Sequence, residues 1–452
     1  MRLGFRVVIV AISLAHLSLG LTAAELTPAE RGKKALLGRA FTPATMSIYA
    51  YENAWKVWQE GAKQPPLDYD KVFAKRYGLH PAPYPNGRYP MGMREDATLL
   101  VKAIATDCLL CHGGSICGKS YVGLGNSTLD FQAFAEELGK AQGGAGRTPF
   151  HFTNVRGTSE AAAMAVFLLG FREPDLKLRK RPVNLELKDD LCEDPPAWWL
   201  LKKKKTMYWT GGADARSVRS IMQFMMSPLN PPSVFEREEA TFKDIQAYLL
   251  TLEPPKYPFS IDRNLANQGE KLFKNTCARC HGTYGENGTY PNKIVPLSEI
   301  GTDSKRYRGI SEKFNAAYNA SWFAQENPGW FADGMPTKPS AGYQAPPLDG
   351  IWATAPYFHN GSAPTVYDVL NSKGRPRFFT RSFETDEAAY DKEKLGWKIQ
   401  LLDRGADPKL PAIEQRKIYD TTLPGRGNGG HTFGDKLTDQ QRFAVIEYLK
   451  TL

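Results

Sequence analysis

The sequence contains two copies of the pattern Cys-x-x-Cys-His, and this pattern restricts its possible folds more strongly than anything else in the chain. The copies are CLLCH at 108–112 and CARCH at 277–281. In this pattern the two thiols add to the vinyl groups of one haem, and the adjacent imidazole binds its iron. A redox Cys-x-x-Cys needs no following histidine, and a zinc site pairs such motifs with further ligands at short spacing. The sequence therefore predicts two covalently bound haem c groups, attached through Cys108, Cys111, Cys277 and Cys280, with His112 and His281 as proximal ligands.

Helical patterns dominate the parts of the chain that show any periodicity. Apolar residues at helical spacing predict helices over 240–252 and 437–452, and the segment Leu437-Thr438-Asp439 offers an N-cap for the second. A short helix over 266–273 runs directly into Cys277. Strand patterns are sparse, and the 40 glycines and 32 prolines favour long loops. We expect a mainly α fold.

The length of the chain and a proline-rich break indicate two units. A chain of 452 residues is too long for one small cytochrome fold. The sequence after Leu252 is Glu-Pro-Pro, with Pro258 following, which is typical of a boundary between domains. We expect two cytochrome c-like domains with long irregular loops, at 25–258 and 259–452.

The first residues have the pattern of an export signal. Arg2 and Arg6 precede an apolar run over 7–21, and small residues suited to cleavage follow it. An uncleaved membrane anchor is the alternative interpretation. We expect a signal peptide at 1–24, a periplasmic location and no membrane span in the mature chain, because no later apolar run reaches about 18 residues.

The net charge of +10 favours an acidic redox partner, such as a small cytochrome or a cupredoxin. The lysines at 202–205 form the densest basic run, and we interpret them as a solvated face. Because no aromatic residues are arranged with these charges, we expect no nucleic-acid binding.

Two cysteines and four histidines outside the motifs are left without an assigned role. Cys117 and Cys192 can form a disulfide or remain as two buried thiols. The possible distal iron ligands are His80, His151, His359 and His431. The next histidine after His112 is His151, and without it the first iron is open to dioxygen or peroxide.

Three segments beyond the haem motifs resemble the bacterial di-haem cytochrome c peroxidase superfamily, which includes the MauG-type enzymes and the rubber oxygenases. The stretch PLDGIWATAPYFHNGS at 347–362 is similar to the second-domain signature, and MYWTGGA at 207–213 is similar to a tryptophan motif of that superfamily. The residues LPG at 423–425 and NGGH at 428–431 resemble the rubber-oxygenase branch.

The resemblance implies roles for particular residues. It implies that Trp209 relays electrons between the two haems, and that His431 is the distal ligand of the second haem. It places Phe224 beside bound oxygen, although plain helix core is an equal interpretation. It also implies that Thr354 and Pro356 bind a Ca²⁺ ion through their carbonyl oxygens.

Two departures from the family pattern restrict the expected activity. Ser233 stands where the peroxidases have a catalytic glutamate, and heterolysis of peroxide needs a group that moves a proton. Lys373 stands where the distal methionine of the peroxidases would fall. We therefore expect an oxidoreductase that activates dioxygen or peroxide at the first haem, with the second haem as electron relay. A non-catalytic di-haem electron carrier and a cytochrome c peroxidase are the alternatives.

Overall fold

The computed structural model describes residues 25–58, 61–96, 102–187, 191–326 and 341–452. The predicted signal peptide at 1–24 lies outside the described residues. The fold is mainly helical, as predicted. The helices of the described ranges are α1 Pro28–Gly38, α2 Ile48–Asn53, α3 Trp55–Trp58, α4 Tyr69–Tyr77, α5 Leu109–His112, α6 Phe131–Ala141, α7 Ala161–Leu169, α8 Val218–Ile221, α9 Pro232–Leu249, α10 Arg263–Thr276, α11 Ala278–His281, α12 Leu297–Ile300, α13 Lys305–Arg308, α14 Glu312–Ala320, α15 Val366–Leu370, α16 Ala412–Gln415 and α17 Asp439–Leu449.

The strands of the described ranges are short and form small antiparallel sheets. One sheet has the order β1-β3-β2, and its strand β3 leads the chain toward Cys108. A second sheet has the order β13-β10-β14, and the other strands pair two by two. The strands are β1 Met46–Ser47, β2 Met93–Asp96, β3 Ala103–Thr106, β4 Gly113–Ile116, β5 Lys119–Val122, β6 Thr206–Met207, β7 Ala213–Asp214, β8 Ile294–Pro296, β9 Gly342–Gln344, β10 Phe378–Thr380, β11 Tyr390–Asp391, β12 Gly396–Trp397, β13 Gln400–Leu401 and β14 Tyr419–Asp420.

Two helix pairs of the same design hold the structure together. Helix α1 crosses α9, and helix α10 crosses α17. Each crossing is very close at one glycine: a Cβ on Gly32 would lie 1.9 Å from the carbonyl oxygen of Asp244, and one on Gly269 would lie 1.8 Å from that of Ala444. A side chain at either position would push the helices apart, so both crossings depend on glycine.

The predicted helices are present, with shifted ends. Helix α10 covers the predicted 266–273 and continues to the residue before Cys277. Helix α17 begins after Thr438, whose side chain accepts a hydrogen bond from the backbone N–H of Gln441, as the N-cap pattern predicted. Helix α9 begins eight residues earlier than the predicted 240–252 because Pro232 occupies its first turn, where proline is well tolerated.

The main hydrophobic cluster contains residues from both predicted domains. Trp199 and Leu124 of the first part pack with Trp352 and Val445 of the second. This core crosses the predicted boundary at 258/259. The division into two domains stays a prediction. Within the described ranges, no helix is both long and apolar enough to cross a membrane.

Candidate functional site

Both Cys-x-x-Cys-His motifs adopt the same local structure. In each, the first cysteine precedes a one-turn helix, α5 or α11, that ends at the histidine. The Asp107 carboxylate accepts a hydrogen bond from the backbone N–H of Leu109 at 2.8 Å, and the Arg94 guanidinium pairs with the same carboxylate at 2.5 Å. The second motif instead continues from helix α10. The two thiols and the imidazole of each motif thus come to one face of a single helical turn.

Each motif histidine is oriented by a proline carbonyl. His112 Nδ1 lies 3.2 Å from the carbonyl oxygen of Pro196, and His281 Nδ1 lies 2.8 Å from that of Pro346. A carbonyl oxygen only accepts, so Nδ1 carries the proton in both rings and Nε2 has a free lone pair. Burial lowers the pKa of His112 to about 4 and also lowers the pKa of His281, so both rings are neutral, the form that binds iron.

The two motifs open into one cavity of about 490 Å³. Both thiols and the imidazole of each motif line it, and most of its wall is apolar. Its volume lies in the range of cofactor pockets, about 300–1,000 Å³. The paired thiols, the free Nε2 atoms and the apolar wall fit haem c at each motif.

Trp209 connects the two halves of this cavity by hydrogen bonds. Its Nε1–H donates to the carbonyl oxygen of Asp194 at 2.9 Å, and its own carbonyl oxygen accepts from the backbone N–H of Gln344 at 2.7 Å. Pro196 lies two residues after Asp194, and Pro346 lies two residues after Gln344. The two motif histidines are therefore linked through Trp209 by two short backbone segments, 194–196 and 344–346.

His431 lies across the cavity from the second motif. Its ring centroid is 6.3 Å from that of His281, and its Nδ1 is buried without a hydrogen-bond partner in the described structure. An iron held between two imidazole nitrogens, with bonds of about 2 Å, puts the ring centroids about 6 Å apart. Burial, with help from the nearby His281 and Arg375, lowers the pKa of His431 to about 4. His431 as distal ligand stays a prediction, which this spacing supports.

The backbone around His431 is held by one arginine. Arg375 donates hydrogen bonds to the carbonyl oxygens of Asn428, Gly430 and His431. This clamp fixes His431 in a left-handed backbone conformation, with φ of 46°.

His359 also lines the cavity but is packed differently. Its ring stacks on Tyr343, with centroids 4.1 Å apart, and its Nε2 is buried without a partner in the described structure. Burial, followed by the nearby Arg306, lowers the pKa of His359 to about 3. The stacked ring makes His359 a neighbour of the second site, and its role as a ligand stays a prediction.

Trp209, Phe224, Thr354 and Pro356 all line the same cavity. The structure thus brings together the residues that the resemblance singled out. Their individual roles stay predictions. In the described ranges, no cluster of three or more histidine, cysteine or acidic side chains is suited to a metal ion, so a Ca²⁺ ion at Thr354 and Pro356 would depend on carbonyl oxygens.

The remaining histidines and cysteines of the described ranges lie away from the cavity lining. His80 is buried beside Asn126 and Thr128, with its Nε2 at 3.1 Å from Asn126 Oδ1, and His151 is exposed. Neither His80 nor His151 lines the cavity. Cys117 and Cys192 are free thiols, so the disulfide alternative is not formed in this structure.

Several lining residues were not foreseen from the sequence. The run of lysines at 202–205 is only partly a solvated face, because Lys204 lines the cavity, where burial lowers its pKa to about 8. The buried acids Glu160 and Glu193 also line it. A signal existed for the two carbonyls that orient the motif histidines: each comes from a Pro-Pro pair, at 195–196 and 346–347.

Comparisons with known proteins agree with this site at the level of protein class. Residues 342–380 match the family model described as RoxA-like, cytochrome c-like. The chain therefore carries a cytochrome c-like domain, which supports haem c binding and electron transfer. The matched segment includes Thr354, Pro356 and His359.

The chain is also similar to two uncharacterized proteins of Sinorhizobium fredii (strain NBRC 101917 / NGR234). It is 28% identical to protein y4iM over 294 residues, which cover 57% of this chain and 64% of y4iM. It is 29% identical to protein y4iJ over 263 residues, which cover 44% of this chain and 41% of y4iJ. The chain thus spans less than two thirds of the length of each relative.

Proposed function

We propose that the protein is a di-haem oxidoreductase that passes electrons from the second attachment site to the first, where a small oxidant, dioxygen or peroxide, is activated. The observation that carries this proposal is the hydrogen-bonded connection between His112 and His281 through Trp209. When bound, each haem supplies an iron that takes up and releases one electron. The protein contributes covalent attachment, orientation of the two histidines and a largely apolar cavity between them.

The proposal assigns different tasks to the two ends of the cavity. His431 faces His281 at a spacing suited to a second iron ligand, which favours electron transfer at that end. The other cavity-lining histidine, His359, stacks on Tyr343, which packs in the cluster that contains Cys280. Within the described ranges, the first end thus has no histidine facing His112, and an open iron position favours activation of a small molecule.

The same resemblance supports a Ca²⁺ ion at the carbonyl oxygens of Thr354 and Pro356. Both residues line the cavity beside Asp194, and burial raises the pKa of that carboxyl well above its usual range. A bound cation would favour the charged form of Asp194. We also propose a periplasmic location and a redox partner protein, on the basis of the export pattern and the basic charge.

Titration of the reduced protein with carbon monoxide tests the open position. We expect the Soret band of one haem to shift and that of the other to remain, because only the first end lacks a second ligand. In the variant His431→Ala, both haems should respond. No shift in the unaltered protein would contradict activation at the first end and favour the non-catalytic electron carrier.

A further inference from the structure

A buried carboxyl group without a partner lies in the wall of the haem cavity. Glu160 is 2% exposed and lines the cavity together with Cys111 and Trp209. Neither of its carboxyl oxygens has a hydrogen-bond partner in the described structure. Buried acids without a partner are rare in native proteins, because the desolvation of a carboxylate is costly.

The local structure explains why this side chain is free. Glu160 occupies the N-cap position of helix α7, where the shorter side chains of Ser, Thr, Asp or Asn ordinarily bind the first backbone N–H groups, and it makes no such bond. Glu193 does so instead, because its Oε1 accepts from the backbone N–H of Ala162 at 3.1 Å. A bridge between Ser159 and Glu193 holds the two segments together. The Glu160 side chain is thereby left to face the cavity.

In the described structure, Glu160 forms no ion pair with a basic side chain. Arg306 is the partner of Glu193, at 2.7 Å. Asn154, through its backbone and side-chain N–H groups, and then Arg426 are near enough to favour the charged form of Glu160, but neither makes a hydrogen bond of ordinary geometry with it. The Cys192 thiol is also close to this carboxyl group. Burial, followed by repulsion from Glu193, raises the pKa of Glu160 to about 8. The carboxyl group therefore carries a proton at neutral pH.

We propose that Glu160 is the proton-exchanging residue of the cavity and that it protonates a peroxide at the first attachment site. The proposal rests on the proposed function. The resemblance described above implies that this chain has Ser233 in place of the glutamate of the peroxidases, and Glu160 supplies an acid to the cavity from a different part of the chain. A carboxylic acid kept neutral by an apolar environment is well suited to give up a proton during a reaction.

The step balances as a two-electron reduction. Hydrogen peroxide takes up two electrons and two protons and yields two molecules of water. The electrons come from an external one-electron donor, by way of the second attachment site and Trp209. Glu160 gives its proton to the departing oxygen as the O–O bond breaks, and solvent supplies the second proton and then reprotonates the carboxylate.

Infrared spectroscopy of the di-haem protein tests the protonation state independently of activity. Because Asp194 is also buried with a raised pKa, the spectrum of Glu160→Gln is subtracted from that of the unaltered protein. We expect a carboxylic C=O stretching band in this difference spectrum at pH 7, and we expect it to disappear as the pH is raised above 8. The control Glu286→Gln removes an exposed acid and should leave this band unchanged. A difference spectrum without this band would overturn the proposal.

Rapid mixing with hydrogen peroxide tests the proton transfer itself. We expect Glu160→Gln to slow the spectral change of the reduced protein by about 10²–10⁴-fold, the usual contribution of general acid–base catalysis, while Glu160→Asp retains part of the rate. Carbon monoxide binding should be the same in all variants. An unchanged rate in Glu160→Gln, beside a reactive unaltered protein, would overturn the role of Glu160 alone. An unaltered protein that reacts with neither carbon monoxide nor peroxide would overturn the proposed function and this role together.

Discussion

In the proposed function, Trp209 is the residue that links the two ends of the cavity. Its indole N–H and its backbone carbonyl oxygen contact two different segments, and each segment carries the carbonyl group that orients one motif histidine. These contacts give Trp209 the position that the proposed relay role requires.

Replacement of Trp209 by Phe tests this role. The phenyl ring keeps most of the packing but loses the hydrogen bond to the carbonyl oxygen of Asp194. We expect slower electron transfer between the haems, measured by flash photolysis of the carbon monoxide complex of the half-reduced protein. The control Trp58→Phe removes the indole hydrogen bond to Tyr77 outside the cavity lining and should leave this rate unchanged. Equal rates in Trp209→Phe and the unaltered protein would exclude the relay.

At the residue scale, sequence patterns identified the attachment groups but not their surroundings. The Cys-x-x-Cys-His pattern is local, so Cys108 and His281 could be recognised without a fold. Glu160 could not be recognised, because its environment is produced by Glu193, which lies far along the chain and takes over the helix cap. Lys204 was assigned to a solvated face because it lies in a run of four lysines. The structure shows the other three exposed, whereas Lys204 lines the cavity.

At the scale of elements, the two helix pairs show the same use of glycine. Helix α10 was predictable because its amphipathic pattern is strong, and the start of helix α17 was predictable because a capping pattern precedes it. The pairing of α1 with α9 was not predictable. The end of α1 and the start of α9 are separated by 193 residues, and no local sequence pattern links the two helices. Gly32 and Gly269 reveal the common design only once the close backbone approach is seen.

Replacement of Gly269 by Ala tests the close approach of α10 and α17. A Cβ would lie 1.8 Å from the carbonyl oxygen of Ala444, so the helices must separate. We expect a loss of about 1–3 kcal/mol in the free energy of unfolding, as is usual for overpacking, measured by denaturant titration. The control is Gly38→Ala at the end of α1, where a Cβ meets nothing within 4 Å. Gly38→Ala should be neutral or slightly stabilising, and an equal effect of both variants would contradict the packing argument.

At the scale of the whole molecule, buried neutral groups make stability depend on pH. His80 is the simplest case because it lies outside the cavity lining. Burial, together with the nearby Arg381 and Arg156, lowers its pKa from 6.5 to about 4, against the opposing effect of Asn126. The unfolded chain binds a proton at His80 below pH 6.5, whereas the folded protein does so only near pH 4. Stability from this group is therefore lost as the pH falls through that window.

The comparison of His80→Gln with the unaltered protein isolates this contribution. We expect the free energy of unfolding of the unaltered protein to fall between pH 6.5 and 4 more steeply than that of the variant, by about 1.4 kcal/mol for each unit of pKa difference. Denaturant titrations at several pH values measure both slopes, and Glu160 affects both proteins equally. Parallel slopes would show that His80 is not buried in its neutral form.

The whole account depends on two haem groups bound covalently to one chain. Intact-mass spectrometry of the protein, produced in a host that matures c-type cytochromes, tests this most directly. We expect the mass of the polypeptide increased by two haem groups, and a single increment in the double variant Cys277→Ala/Cys280→Ala. A mass equal to that of the bare polypeptide would contradict the account.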